Sequence, residues 1–384
     1  MYLGSIDVEE KPDANAPIQL EADLRGCAPV EVRMQWKPVV PSPSFPSGSV
    51  VYSPRALLLL FLCLATLGAC APSNFGQTMQ WHERARLDLA RSGYMAGVIN
   101  GKYVIVGGSH WVNKKKVWTD EVDIFNPATD TWSKGTPLPA PRSDAANVAL
   151  GNALYMFGGG ANEKIWRDAL VYRNGKWHPL PSAELPVPLL YSIAVADHGL
   201  IYVMGGLSKY EDYSHLSSQM WVWNPKEPKA GWIKLQPFPG PGLITQAVAE
   251  LNGKIYVLGG AKTGGKDVVN VDTAFEYDPA TNKWTTLPNL PVKRRCWWGL
   301  PLHQEILLFG GYTTKDESEV FAYSPATSTL KQISDMPHGL CDAKFFRIGN
   351  SIYGVGGETA PLIRGKWTLE AVLPGTKGVA RKKK

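Results

Sequence analysis

A Gly-Gly pair ends a short hydrophobic run six times in this 384-residue chain, and this repeat constrains the fold more than any other feature. The first glycines are residues 107, 158, 205, 259, 310 and 356, so the copies lie 46 to 54 residues apart. An apolar anchor stands 26 to 28 residues before each first glycine, namely Trp81, Trp132, Trp177, Trp232, Trp284 and Leu330. A fixed period of this length indicates one supersecondary unit per copy.

Each unit is predicted to contain four short β-strands. The Asn-Gly pairs at 100 and 252 supply the positive φ that a tight hairpin turn requires. Segments such as "NPATD" are turns, and the Gly-Gly pair suits a place where a side chain would clash with a neighbouring unit. With 38 Gly and 30 Pro and little helical periodicity, the chain is predicted to be all-β. The units resemble kelch repeats over residues 79–373, which implies a six-bladed β-propeller.

The last unit lacks the length for its own fourth strand. Only ten positions separate Gly357 from Trp367, and the chain ends soon afterwards. We therefore expect "KWTLEAV" to be the third strand of blade six and "TMQWHER", around Trp81, to return as its fourth strand. Such pairing of the N-terminal and C-terminal strands would close the ring and remove an exposed sheet edge.

A targeting signal is predicted ahead of the repeats. Arg55 precedes an apolar run of 14 residues that ends at "LGAC" and Cys70, which is too short to span a bilayer comfortably. The segment 55–70 resembles a bacterial lipoprotein signal, implying lipidation of Cys70, export, and residence at the periplasmic face of the outer membrane or in the periplasm. Residues 1–54 are then an extension that suggests a start site placed too early, with Met34 or a start near Val51 favoured, and residues 71–78 are a linker. The alternative is a buried apolar segment.

Charge distribution and cysteine spacing argue against a nucleic-acid partner and against a metal site. The net charge of +6 owes four positive charges to Arg381–Lys384, within a basic tail at 374–384. We find no nucleic-acid-binding signature and predict no nucleic-acid partner. Cys296 and Cys341 show no metal-like spacing. An exported protein could pair them, but we expect two separate buried thiols. We predict no metal and no cofactor.

The strand order places one mouth of the central channel. The start of each inner strand and the loop after each Gly-Gly pair should meet there, where loops can carry a site. Sixteen positions before each first glycine the residue is Arg91, Arg142, Leu189, Leu243, Arg294 or Leu340. The three arginines either pack against a neighbouring blade or face water, or they form an anion-recognising rim for a substrate.

Two positions further on, the channel should be lined by Gly93, Asp144, Tyr191, Thr245, Cys296 and Asp342. Tyr191, Trp297 and Tyr312 are candidate flat contacts for a sugar ring, although aromatic residues at blade positions are more often part of the core.

Blade six alone places a carboxylate directly after its Gly-Gly pair. The equivalent residues are Ser109, Gly160, Leu207, Ala261, Tyr312 and Glu358. In this blade an arginine, Arg364, closely follows that carboxylate. Because five blades do without both residues, the repeat does not require them, and we predict that Glu358 and Arg364 form a site.

The segment "GETAPLIR" resembles the Gly-Glu-x-x-Pro-x-x-Arg segment of the kelch-type sialic acid mutarotases, the N-acetylneuraminate epimerases of bacteria. The resemblance implies that Glu358 is a catalytic acid/base and that Arg364 binds or polarises an acidic sugar. The chain departs from the family by carrying Leu362 where a glycine is usual, and by placing the motif in its final blade.

The repeats and the Glu358–Arg364 segment together favour two functions. The first is a sugar mutarotase that interconverts anomers of free N-acetylneuraminate by acid/base ring opening. The second is a non-catalytic kelch propeller that binds a glycan or a protein partner.

Overall fold

The computed structural model describes residues 79–373. The predicted extension 1–54, signal 55–70 with Cys70, linker 71–78 and tail 374–384 lie outside the described residues. Within residues 79–373 the regular structure is almost entirely strand, with two short 3₁₀ helices at Pro181–Ala183 and Pro228–Ala230. No helix in this part of the chain is long and apolar enough to cross a bilayer.

In chain order the strands are β1 (Gln80–Glu83), β2 (Met95–Ile99), β3 (Lys102–Val106), β4 (Ser109–Val112), β5 (Lys115–Trp118), β6 (Val122–Asn126), β7 (Thr131–Lys134), β8 (Ala146–Leu150), β9 (Ala153–Phe157), β10 (Gly160–Ala161), β11 (Lys164–Ile165), β12 (Ala169–Arg173), β13 (Lys176–Pro179), β14 (Ile193–Asp197), β15 (Leu200–Met204), β16 (Met220–Trp223), β17 (Ile233–Lys234), β18 (Ala247–Leu251), β19 (Lys254–Leu258), β20 (Ala261–Thr263), β21 (Val268–Asn270), β22 (Ala274–Asp278), β23 (Lys283–Leu287), β24 (Trp298–Leu302), β25 (Glu305–Phe309), β26 (Glu319–Ser324), β27 (Thr329–Asp335), β28 (Lys344–Ile348), β29 (Ser351–Val355), β30 (Glu358–Ala360), β31 (Ile363–Arg364) and β32 (Thr368–Val372).

The strands form six antiparallel four-stranded blades, as predicted. From inner to outer strand, blades one to five are β2-β3-β6-β7, β8-β9-β12-β13, β14-β15-β16-β17, β18-β19-β22-β23 and β24-β25-β26-β27. Four small hairpins, β4-β5, β10-β11, β20-β21 and β30-β31, follow the Gly-Gly pairs of blades one, two, four and six. The chain is therefore a six-bladed β-propeller.

The sixth blade is built from both ends of the propeller, in the order β28-β29-β32-β1. Strand β1 pairs antiparallel with β32, with Gln80 opposite Val372 and Glu83 opposite Leu369. The predicted closure is confirmed. Trp81 from β1 packs edge-on against Phe309 of blade five and Phe345 of blade six, so the returning strand also contributes to the core between these blades.

Gly-Gly pairs occur where neighbouring blades touch through their backbones. In all six blades the second glycine donates its N–H to the carbonyl sixteen positions before the first glycine of the next blade, for example Gly311 to Leu340 at 2.8 Å. A Cβ on Gly310 would lie 2.2 Å from the Leu340 carbonyl oxygen, and both glycines have positive φ. The predicted clash is confirmed, because no side chain fits in this seam.

The outer-strand tryptophans connect each blade to the one before it. The indole N–H groups of Trp132, Trp177, Trp232 and Trp284 donate to the carbonyl oxygens of Ala85, Thr136, Ala183 and Gln236 at 2.8 to 3.0 Å. An indole N–H usually finds a hydrogen-bond partner where the ring packs against protein. This contact recurs in four blades and ties the outer edge of each to the preceding blade.

Candidate functional site

The mouth of the channel forms where each inner strand begins. In every blade the residue before the channel-lining position makes an antiparallel bridge to the residue after Gly-Gly: Ser92 to Ser109, Ser143 to Gly160, Leu190 to Leu207, Ile244 to Ala261, Arg295 to Tyr312, and Cys341 to Glu358. The predicted meeting of these two segments at one face is confirmed.

A ring of residues in the left-handed backbone conformation lines the channel below this mouth. Gly93, Asp144, Tyr191, Thr245, Cys296 and Asp342 all have φ between 54° and 64°. Backbone hydrogen bonds link several neighbours around the ring, including Asp144 N to Gly93 O at 2.7 Å and Asp342 N to Cys296 O at 2.9 Å. Because the same conformation recurs in all six blades, it belongs to the propeller architecture and presents the side chains to the channel.

The channel encloses a cavity of about 80 Å³ whose walls include Asp144, Tyr191, Thr245, Cys296 and Asp342. A cavity of this size holds several water molecules. Lys344 also lines it, with its ammonium 3.5 Å from Asp342 Oδ1. Polar and charged groups thus meet at the centre of the propeller.

Glu358 and Arg364 are brought together by the hairpin β30-β31. The Arg364 Nη2 atom lies 3.0 Å from Glu358 Oε1, and Ser92 Oγ donates to the same oxygen at 3.0 Å. The Arg364 side chain is 7% exposed, whereas that of Glu358 is 33% exposed. The carboxylate therefore remains open to the mouth while its arginine partner is held below the surface.

Leu362 forms the turn of this hairpin with φ of 63°. This conformation favours glycine over residues that carry a Cβ. The geometry gives a physical reason why a glycine is usual at the equivalent position of the resembling family, and Leu362 occupies it with an exposed side chain.

Burial raises the pKa of the Glu358 carboxyl above its ordinary value, against the opposing effect of Arg364. The negative charges of Asp342 and Asp316 add to the increase, and the Ser92 hydrogen bond opposes it. A carboxyl with a raised pKa can donate and accept a proton closer to neutral pH.

Arg91, Arg142 and Arg294 are not available to a ligand at the mouth. Their residues are 0%, 3% and 3% exposed. Arg91 pairs with Asp123 at 2.6 Å, Arg142 binds both oxygens of Asp168 at 2.7 and 3.0 Å, and Arg294 pairs with Glu319 at 3.2 Å. The structure corrects the substrate-binding prediction for these three residues and favours the packing interpretation, because their guanidinium groups are committed to carboxylates within their own blades.

The three predicted aromatic contacts lie at different depths. Tyr191 lines the channel cavity and is partly exposed. Trp297 lines the same cavity but is 3% exposed and donates to the Leu258 carbonyl, so it is mainly a core residue. Tyr312 lies beyond the Gly-Gly pair of blade five, with the Arg295 guanidinium 4.4 Å from its ring centre.

Ser92 and Lys344 are site residues that sequence reasoning missed. Ser92 reaches Glu358 across 266 positions of the chain. Lys344, two residues after Asp342 at the start of β28, reaches the Asp342 carboxylate. The available signal for Ser92 was its position beside channel-lining Gly93. Its partner could not be identified without the ring closure.

Cys296 and Cys341 are free thiols, as expected. The hydrogen bond that the Cys341 thiol donates to Cys296, together with burial, raises the pKa of the Cys341 thiol well above its usual range. Among residues 79–373, no group of His, Cys, Asp or Glu side chains could hold a metal ion.

Comparison with known proteins identifies the family. The family model described as the Attractin/LZTR1 β-propeller matches residues 103–335. The chain belongs to this β-propeller family. Relatives include Kelch-like protein 35 of Mus musculus, 26% identical over 274 residues that cover 64% of this chain and 41% of the mouse protein. Beta-scruin of Limulus polyphemus is 24% identical over 65% of this chain and 28% of its own length.

Kelch-like protein terF of Aspergillus terreus is 25% identical over 65% of this chain and 57% of that protein. The chain thus spans 28% to 57% of the length of these three curated relatives. A solved structure titled "Structure of YjhT" superposes with a TM-score of 0.60 at 16% identity and covers 74% of this chain and 96% of that chain. This likeness establishes a shared fold.

Proposed function

We propose that this Attractin/LZTR1-type propeller is a sugar mutarotase that interconverts the anomers of a free acidic sugar of the N-acetylneuraminate class. The observation that carries the proposal is Glu358, whose side chain is 33% exposed at the channel mouth and whose carboxylate pairs with the Arg364 guanidinium and accepts a hydrogen bond from Ser92 Oγ, at 3.0 Å each. No equivalent pair follows the other five Gly-Gly motifs.

The chemistry requires one proton to leave the anomeric hydroxyl and one to reach the ring oxygen. The C–O bond to the ring oxygen then breaks, the open-chain carbonyl rotates, and the reverse transfers close the ring on the other face. Glu358, with its raised pKa, is suited to such transfers, which typically contribute about 10² to 10⁴ in rate.

Arg364 is suited to an anionic or carbonyl oxygen of the substrate. Its Nε and Nη1 atoms are buried and have no hydrogen-bond partner among the described residues. Unpaired buried N–H groups carry a free-energy cost of about 1 to 3 kcal/mol that an acceptor would remove.

The direct test is proton NMR of freshly released α-sialic acid with and without the protein. Acceleration of anomer equilibration above the rate with heat-inactivated protein would support the proposal. Equal rates would reject the mutarotase.

The anchoring of the protein is part of the same proposal. We propose that cleavage before Cys70 and lipidation of its thiol hold the propeller at the periplasmic face of the outer membrane. Mass spectrometry of the purified native protein would give a lipidated Cys70 at its N-terminus. An intact segment 1–70 on the mature product would reject this anchoring.

The second candidate function is a non-catalytic propeller that binds a protein or glycan partner. It is favoured by exposed apolar side chains on the mouth hairpins, where Val112, Val269, Leu362 and Ile363 are 46%, 45%, 47% and 55% exposed. The blade-one and blade-six hairpins, which carry Val112, Leu362 and Ile363, contact each other through β4 and β31, and contiguous exposed apolar groups are a common feature of interaction surfaces. A glycan array and a pull-down that yield a tight ligand without anomer exchange would favour this function over the mutarotase.

A further inference from the structure

Two consecutive residues of blade one hold two carboxylates of blade six. Ser92 Oγ donates to Glu358 Oε1 at 3.0 Å. The next residue, Gly93, donates its backbone N–H to Asp342 Oδ2 at 2.5 Å. Since adjacent residues supply the two donors, the Glu358 and Asp342 carboxylates are held side by side at the seam where the ring closes.

Glycine at position 93 permits a third carboxylate to approach from the other side. A Cβ at this position would lie 2.7 Å from Asp144 Oδ1, which is closer than a real Cβ contact allows. The other oxygen of Asp144 accepts a hydrogen bond from Ser143 Oγ at 2.7 Å. Blade one alone has glycine at this ring position, and the absent side chain leaves room between Asp144 and Asp342.

The cavity lined by Asp144 and Asp342 contains polar side chains that lack protein partners. Gln246 is 2% exposed and Ser192 is 7% exposed, and both line the same cavity as Asp342 and Asp144. Among the described residues, neither the Gln246 side-chain amide nor Ser192 Oγ has a hydrogen-bond partner. Buried polar groups are normally satisfied, so this cavity is built to receive polar atoms, either from water or from a hydroxylated ligand.

We propose that Asp342 is a second catalytic acid/base, which exchanges protons with the same sugar as Glu358. This inference rests on the proposed mutarotase function. One carboxyl donates its proton to the ring oxygen while the other carboxylate accepts the proton of the anomeric hydroxyl, and the bond between the anomeric carbon and the ring oxygen breaks. The two groups have then exchanged protonation states. Ring closure on the opposite face transfers both protons back and restores the pair.

The two carboxyls have different charged neighbours. Glu358 faces Arg364, Ser92, Asp342 and Asp316, and Asp342 is 3.5 Å from the Lys344 ammonium. Asp144, Lys116 and Lys344 complete the charged groups on the channel side. Two carboxyl groups in different surroundings are suited to the separate roles of acid and base.

Asp342→Asn is the variant that tests the inference, because its amide oxygen can still accept the Gly93 N–H while the side chain loses its acid/base function. We expect anomer exchange to fall by about 10² or more. The anomer-exchange rate of the double variant Asp342→Asn with Glu358→Gln should be little lower than that of either single variant, since the effects of groups that act as a unit are non-additive. The anomer-exchange rate should also be measured as a function of pH. If the fall in rate at low pH that wild type shows is absent in Asp342→Asn, Asp342 takes part in proton transfer and not only in the structure of the site.

Asp316→Asn is the matched control, because Asp316 also raises the pKa of Glu358 but is not held by the Ser92-Gly93 turn. We expect a smaller loss of rate than in Asp342→Asn, because Asp316 acts only through the charge that it places near Glu358. If wild-type protein accelerates exchange and Asp342→Asn does so equally, the second acid/base is rejected and the mutarotase stands. If wild-type protein gives no acceleration, the proposed function and this inference are both rejected.

Discussion

At the scale of single residues, Leu362 is the position where the hairpin carrying the site is under strain. A residue with a Cβ at φ of 63° costs roughly 1 to 2 kcal/mol. Leu362→Gly relieves this strain, and the larger conformational freedom of glycine in the unfolded chain offsets part of the gain. Because Leu362 is half exposed, little burial is lost. Chemical denaturation should give an increase of about 1 kcal/mol in the free energy of unfolding, and a decrease would contradict the assigned turn conformation.

The Asp144 carboxyl makes a residue-scale prediction about pH. Burial raises its pKa above the unfolded value, and Asp342 adds to this effect against Lys116, Ser143 and Lys344. The folded state therefore binds more protons than the unfolded state, so this group's contribution to stability falls as pH rises from its unfolded pKa through its raised folded pKa. Asp144→Asn removes that loss and keeps a residue type that tolerates positive φ.

We expect Asp144→Asn to have a higher melting temperature than wild type at pH 7, with the difference shrinking as the pH falls below the unfolded pKa of about 3.9. Melting curves across this range provide the measurement. An equal difference at all pH values would show that removal of the buried charge is not its cause.

At the scale of structural elements, the seam between blades explains the Gly-Gly repeat. Gly310→Ala would place a Cβ 2.2 Å from the Leu340 carbonyl oxygen, and φ at this position is 55°. Gly151→Ala is a matched control, because its φ is 59° and nothing lies within 4 Å of the added Cβ. Both variants carry the cost of a left-handed alanine, so the difference between them isolates the contact with the neighbouring blade.

Gly151→Ala should cost about 1 to 2 kcal/mol of unfolding free energy, and Gly310→Ala should cost several kcal/mol more or prevent folding. Urea denaturation of the two purified variants makes the comparison. Equal losses would mean that the seam tolerates a side chain, contrary to our account of the repeat.

At the scale of the whole molecule, stability depends on β1 closing blade six. Deletion of residues 79–85 removes the ladder between β1 and β32 and the Trp81 contacts with Phe309 and Phe345. It should unfold the propeller. A circular permutant is the control, in which a short linker joins residue 373 to residue 79 and the chain begins at residue 86, because Gln80 already lies opposite Val372.

The permutant should melt near the temperature of the unpermuted propeller, since it keeps every strand pairing and moves only the chain ends. The deletion should show no cooperative transition by circular dichroism. A deletion variant that melts like wild type would contradict the closure.

The fold was predictable because a repeat of nearly constant length fixes where each strand begins and ends. The same register located the channel-lining residues, from Gly93 to Asp342, and the hairpin with Glu358 and Arg364. Side-chain partners were less predictable. The carboxylates that pair with Arg91, Arg142 and Arg294 lie 25 to 32 positions further along the chain. They stand in or directly before the third strand of the blade, and the position of that strand relative to the arginine depends on loop length.

The hydrogen bonds from Ser92 and Gly93 to blade six span 266 and 249 positions. They exist only because the ring closes, and closure brings together residues that no local pattern connects. The features that distinguish the site from a plain repeat are therefore concentrated at the blade one and blade six seam.

The proposed function depends on proton transfer by Glu358 to and from a free acidic sugar at this seam. Its most direct measurement is the anomer-exchange rate of fresh α-sialic acid by proton NMR with wild-type protein and Glu358→Gln at equal concentrations, after melting curves show both to be folded. We predict clear acceleration by wild type and a loss of about 10² to 10⁴ in the variant. A folded Glu358→Gln protein as active as wild type would contradict the claim.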